Sequence, residues 1–114
     1  MVLSNEYKEY ILEKLNEVAP IEAKRMFGGA CIYRDGMVFG ILDDDRLLFK
    51  VDDSNRAEYE QAGKEIFRPN PNEPDTMPYY EVPEFVQNDP NLLLEWMDRS
   101  TAVALKKKPK SKKK

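Results

Sequence analysis

The chain has 114 residues, 41% hydrophobic and 34% charged, with no histidine, one cysteine and a net charge of −3. That length suits a single domain with one core. The missing histidine and second cysteine exclude Ser-His-Asp and Cys-His nucleophilic systems, an imidazole general base, an internal disulfide and a structural zinc site within one chain.

No stretch approaches the roughly 18 apolar residues of a membrane span. Residues 1–10 lack the basic and apolar regions of a secretory signal, so a cytoplasmic location is expected. Ser4 reads as an N-cap with Glu6 in the first turn. Tyr7, Ile11, Leu15 and Val18 then recur at helical spacing, and Pro20 marks the end of that helix.

From Met26 the residues turn β-like. Ala30-Cys31-Ile32-Tyr33, then Asp35-Gly36, then Met37 to Leu42 predict a hairpin, because a type I′ turn needs positive φ at both central positions. A turn at Asp43-Asp44-Asp45 leads to a strand over residues 47–51, completing a three-stranded antiparallel meander. Asp52 or Asp53 is expected to cap a helix over about residues 54–62, with Gly63 just past its end. Ile66-Phe67 is a short strand, residues 69–78 form a Pro- and Asn-rich loop, and residues 79–82 form a fifth strand halted by Pro83. Asp89 and Pro90 open a last helix whose apolar face includes Leu93, Trp96, Met97 and Ala104, and which Pro109 stops.

The expected fold is therefore α+β and two-layered, a five-stranded antiparallel sheet with helices on one face in the order α-βββ-α-ββ-α. It occupies residues 1–105. Residues 106–114 are expected to be a disordered lysine-rich tail. The seven lysines there leave 11 basic against 21 acidic residues, so the body carries −10 and the tail +7. Lys106, Lys107, Lys108, Lys110, Lys112, Lys113 and Lys114 are thus candidate contacts for nucleic acid, weak and sequence-blind because the acidic body opposes them. The alternative is a solubilising end.

Other features have plain structural readings beside any functional one. Asp43, Asp44, Asp45, Asp52 and Asp53 lack calcium-loop spacing and suit turns and caps. Gly28-Gly29 is followed by a strand rather than a helix N-terminus, so a bulge or close backbone approach fits better than a phosphate loop. Cys31 lies in an apolar run, as a small hydrophobe would. Tyr79 and Tyr80 should point to opposite faces, one into the core and one exposed, where the exposed ring is a candidate anchor for a partner. An enzyme built on this chain would need carboxylates such as Glu81 or Glu84; no metal or cofactor is expected.

From Arg25-Met26-Phe27-Gly28-Gly29 through Ile32-Tyr33, Asp35-Gly36, Phe39-Gly40 and Lys50-Val51-Asp52 to Tyr79-Tyr80-Glu81-Val82-Pro83 and Trp96, the chain resembles the N-terminal domain of TfoX-type competence regulators. The resemblance runs to about Leu105. It implies a five-stranded antiparallel sheet with flanking helices and a non-enzymatic binding or regulatory role exercised through protein contacts, with the transcription machinery as one partner class. It supplies no catalytic residues. Full-length regulators carry a second, helical domain where this sequence has its lysine tail, and Cys31 stands where a glycine is expected. Arg25, Met26, Phe27, Gly28, Gly29, Tyr79 and Tyr80 are accordingly the candidate partner-binding residues. A homodimer is compatible with this reading. The alternative function is a nucleic-acid-associated accessory protein working through the basic tail.

Overall fold

The computed structural model describes residues 4–26, 28–70 and 72–107. The elements run α1 (Asn5–Val18), β1 (Glu22–Met26), β2 (Gly29–Arg34), β3 (Met37–Asp43), β4 (Arg46–Lys50), α2 (Arg56–Gln61), β5 (Ile66–Phe67), β6 (Met77–Glu81), α3 (Glu84–Gln87) and α4 (Pro90–Lys107). The strands form one antiparallel sheet in the order β1-β2-β3-β4-β6-β5. The α+β, two-layer expectation holds, with six strands among the described residues instead of five and four helices instead of three.

The added strand is β1. Its sequence, Glu-Ala-Lys-Arg-Met, has no apolar alternation, so pairing with β2 rather than its own pattern makes it a strand. The added helix is the single turn α3, which follows Pro83.

Local chemistry fixes most boundaries. The Ser4 hydroxyl accepts from the Tyr7 amide at 3.1 Å and caps α1. Asp45, from the β3–β4 turn, accepts from the Ser4 amide at 2.8 Å and joins that cap to the sheet. Asp35 and Gly36 take φ of 54° and 80°, and Asp44 and Asp45 take 53° and 55°, so both hairpins turn on two left-handed residues. Gly63, at φ 82°, follows α2, and the Asp89 carboxylate accepts from the Asn91 and Leu92 amides ahead of α4.

The start of α2 departs from expectation. Asn55, not Asp52 or Asp53, is its N-cap residue, and Asn55 makes no side-chain cap bond. Its buried amide instead accepts from the Asp52 amide at 2.8 Å and donates to the Lys50 carbonyl at 3.2 Å. Asp52 closes a local turn, accepting from the Ser54 amide and hydroxyl.

The helices lie on one face of the sheet. α4 crosses β3 and β4, packs against α1 and α3, and α2 rests on β6. Between the layers sits the main core, where Ile11 and Leu15 meet Ile32, Phe39, Phe49 and Met97. Phe39 and Phe49 have ring centroids 5.4 Å apart, and Tyr59 meets the Trp96 edge at 4.6 Å. The expected burial of Trp96, Phe39 and Phe49 is borne out. Ser100, fully buried on α4, donates to the Lys50 carbonyl at 2.8 Å and so satisfies the end of β4. No helix among the described residues is long and apolar enough to cross a membrane.

Candidate binding surface

Strand alternation sends Phe49 and its partner Tyr80 to the helical side, and Lys50 and its partner Tyr79 to the other. Tyr80 belongs to the core. Its hydroxyl donates to Glu60 Oε2 at 2.8 Å and its ring lies 5.8 Å from that of Tyr59, so it fastens α2 to β6.

Tyr79 faces away from the helices, as one of the pair should, yet it is as buried as Tyr80, each 5% exposed. This corrects the expectation of one exposed ring. The covering is a second, small cluster in which Tyr79 packs with Leu48, Phe67 and Ile41. Cations complete it. Lys50 Nζ stands 5.7 Å from the Tyr79 centroid, and the Arg46 guanidinium carbon stands 5.7 Å from that of Phe67. Long basic side chains lay their apolar stems over such rings and keep their charge in water. Burial, then the neighbouring Cys31 and Tyr33, pushes the Tyr79 phenol up to about 12.

Toward β1 the same face is half-open. Cys31 and Ile41 pair across β2 and β3, Tyr33 pairs with Val38, and all four are partly exposed. Lys24 Nζ lies 5.7 Å from the Tyr33 ring centroid. Burial raises the Cys31 thiol above its ordinary value, with Lys50 opposing, so the group stays protonated near neutrality and is a poor nucleophile. The helix-free face is thus a strip of aromatic, aliphatic and sulfur atoms bounded by Lys24 and Lys50.

The sequence-derived candidates do not gather into one patch. Arg25 points to the helical side and donates to Asn5 Oδ1 on α1. Gly28 takes φ 82°, and a Cβ on Gly29 would stand 2.4 Å from the Leu42 carbonyl oxygen, so the close-approach reading of this glycine pair is borne out. Met26 pairs with Gly29, and Phe27 lies outside the described residues. Tyr33, Val38, Ile41, Lys24 and Lys50 were missing from the candidate list. Alternation in Ala30-Cys31-Ile32-Tyr33 was the signal for them, since Ala30 and Ile32 are buried in the core and the residues between are not.

Lys106 and Lys107 lie in helix, where a disordered tail from Lys106 was expected. α4 continues through Lys107, and Lys106 Nζ sits 3.1 Å from Asp52 Oδ2. The Ser54 hydroxyl bond, with Lys106 assisting, holds the Asp52 carboxyl at about 2. Lys108, Lys110, Lys112, Lys113 and Lys114 lie outside the described residues.

Glu81 lines a cleft of about 470 Å³ together with Asp43, Arg46, Lys64 and Arg68, a mixture of acids and bases. Glu84 lines an adjoining cleft of about 420 Å³ with Tyr7, Tyr10 and Lys64. No group of three His, Cys, Asp or Glu among the described residues is placed to hold a metal ion.

The TfoX N-terminal domain model matches residues 13–104 of the 114. The chain belongs to the TfoX N-terminal domain family. No curated protein matches it significantly. For this TfoX N-terminal domain, the Tyr-Tyr-x-Val-Pro element has a clear structural content: one ring locks α2 to the core and the other closes the opposite face. Val82 extends the pairing by donating its amide to the Leu47 carbonyl at 2.8 Å.

Proposed function

We propose that this TfoX N-terminal domain is a non-enzymatic binding module that engages a partner protein through the helix-free face of its sheet. The observation that carries the proposal is the unequal cover of the two faces. Helices seal one side, while the other presents half-exposed Tyr33, Val38, Cys31 and Ile41 between Lys24 and Lys50. Aromatic and aliphatic contact area ringed by fixed polar groups is the composition of protein interfaces. The buried cluster around Tyr79 borders the strip on the same face and stiffens it from the side, which lowers the entropy lost when a partner docks. The family's association with transcription makes a component of the transcription machinery the first partner class to test.

The test is affinity capture from the native cell lysate, comparing the full chain, a Tyr33→Ala/Val38→Asp variant and a chain lacking residues 108–114. The proposal expects the face variant to lose the captured protein and the shortened chain to keep it. Capture that survives the face changes, vanishes with the lysines and is abolished by nuclease would instead make the domain a nucleic-acid-associated accessory protein.

A further inference from the structure

The two edges of the sheet differ. β5 is two residues long and runs on into Arg68-Pro69, which leaves little to pair with. β1 has five residues, no proline and an unbroken register against β2, and no strand among the described residues pairs with its other side.

Its backbone polarity follows from the hairpin. Met26 pairs with Gly29 across two residues, and the pair flanking a two-residue connection is hydrogen-bonded. Alternation then turns the amides and carbonyls of Met26, Lys24 and Glu22 toward β2 and those of Arg25, Ala23 and Ile21 outward. The Ile21 amide already donates to Asn16 Oδ1 at 3.1 Å, so its carbonyl remains for a partner.

Charges on an edge ordinarily prevent pairing. Here they alternate in sign at a spacing of two. Glu22 and Lys24 are both exposed on the helix-free face, two residues apart, and among the described residues neither has an ion pair.

We propose that β1 is a self-association edge, which pairs antiparallel with β1 of a second copy about a two-fold axis at Ala23. In that register Ala23 faces its own counterpart and the two exchange both backbone bonds. The Arg25 amide of each copy reaches the Ile21 carbonyl of the other. On the helix-free face each Glu22 stands opposite the other copy's Lys24. A two-fold axis at Lys24 would set Lys24 against Lys24, and one at Glu22 would set Glu22 against Glu22; both are repulsive. The small Ala23 side chain lets the strands approach at the axis. The contact is isologous and closed, so it ends at a dimer, and it joins two six-stranded sheets into one with a continuous helix-free face. This inference rests on β1 alone and stands whether or not that face binds a protein.

The test needs no partner: it is sedimentation of the purified full chain from micromolar to about millimolar concentration, since one edge pair of this length lies at the weak end of interfaces. The mass is expected to rise toward the dimer. Glu22→Lys and Lys24→Glu should each weaken association by about tenfold, because each converts two cross-strand ion pairs into repulsions. The double exchange Glu22→Lys/Lys24→Glu should restore it. Ala23→Pro, which removes an outward amide and no bond to β2, should abolish association with the far-UV circular dichroism unchanged. A chain that stays monomeric throughout, a dimer indifferent to Ala23→Pro, or single charge changes that the double exchange does not rescue would overturn the proposal.

Discussion

Gly36 and Gly29 are both glycines in hairpins, for different reasons. A Cβ on Gly36 would meet nothing within 4 Å, but its φ is +80°. Gly36→Val therefore strains only the backbone, and the expected loss is about 1–2 kcal/mol in a urea melt. Gly29→Ala drives a Cβ to 2.4 Å from the Leu42 carbonyl oxygen and forces β2 away from β3. Its loss should exceed that of Gly36→Ala by about 1–2 kcal/mol.

Two ionisable groups give pH signatures of opposite sign. The Asp52 carboxyl lies at about 2 in the fold, below the ~3.9 of an unfolded aspartate. Its contribution is complete above pH 4 and lost as pH falls toward 2, and Asp52→Asn should flatten that acid limb. The Tyr79 phenol lies at about 12, above the ~10 of an unfolded tyrosine. Its contribution is complete below pH 10 and lost as pH rises toward 12. In a phenolate absorbance titration, Tyr79→Phe should remove a late-titrating component.

At the scale of elements, the hairpins, the α1 and α4 caps and the Gly63 stop were legible because each is decided within about four residues. Asp35-Gly36 needs no distant partner to choose its turn. β1 was illegible for the converse reason, since nothing in Glu-Ala-Lys-Arg-Met favours a strand until β2 lies beside it. The α2 cap failed similarly: Asp52 is a good capping residue, but Ser54 and Lys106 claim its carboxylate, and Lys106 comes from the far end of the chain. The opposite orientation of Tyr79 and Tyr80 was readable from alternation. The burial of Tyr79 was not, because Leu48, Phe67 and Lys50 come from other strands.

Helix α4 offers a direct check of the core. Trp96 packs against Tyr59 and Phe85 and is 6% exposed. Trp96→Ala should cost about 3–5 kcal/mol, and native emission should be shifted to the blue of a solvated indole, moving red only on unfolding.

For the whole molecule, the division between faces matters more than the net charge of −3. The domain spends its helices on one side of the sheet and closes half of the other with the Tyr79 cluster. What remains open is a strip over β2 and β3 whose residues lie in an apolar run and are told from the core only by alternation. The described part of α4 reaches Lys107, and the residues that build the core lie before it. Removing residues 108–114 should leave the melting temperature unchanged and reduce any salt-sensitive affinity for duplex DNA.

The single cysteine supplies the most direct test of the binding face, because Cys31 lies within the half-open strip beside Ile41. The measurement is the rate at which Cys31 is alkylated in the free domain and in the complex captured from lysate, both at one mildly alkaline pH. Docking on the helix-free face predicts labelling several-fold slower in the complex, with the rate restored when the partner is stripped away. An equal rate in the two states would place the partner elsewhere and contradict the account.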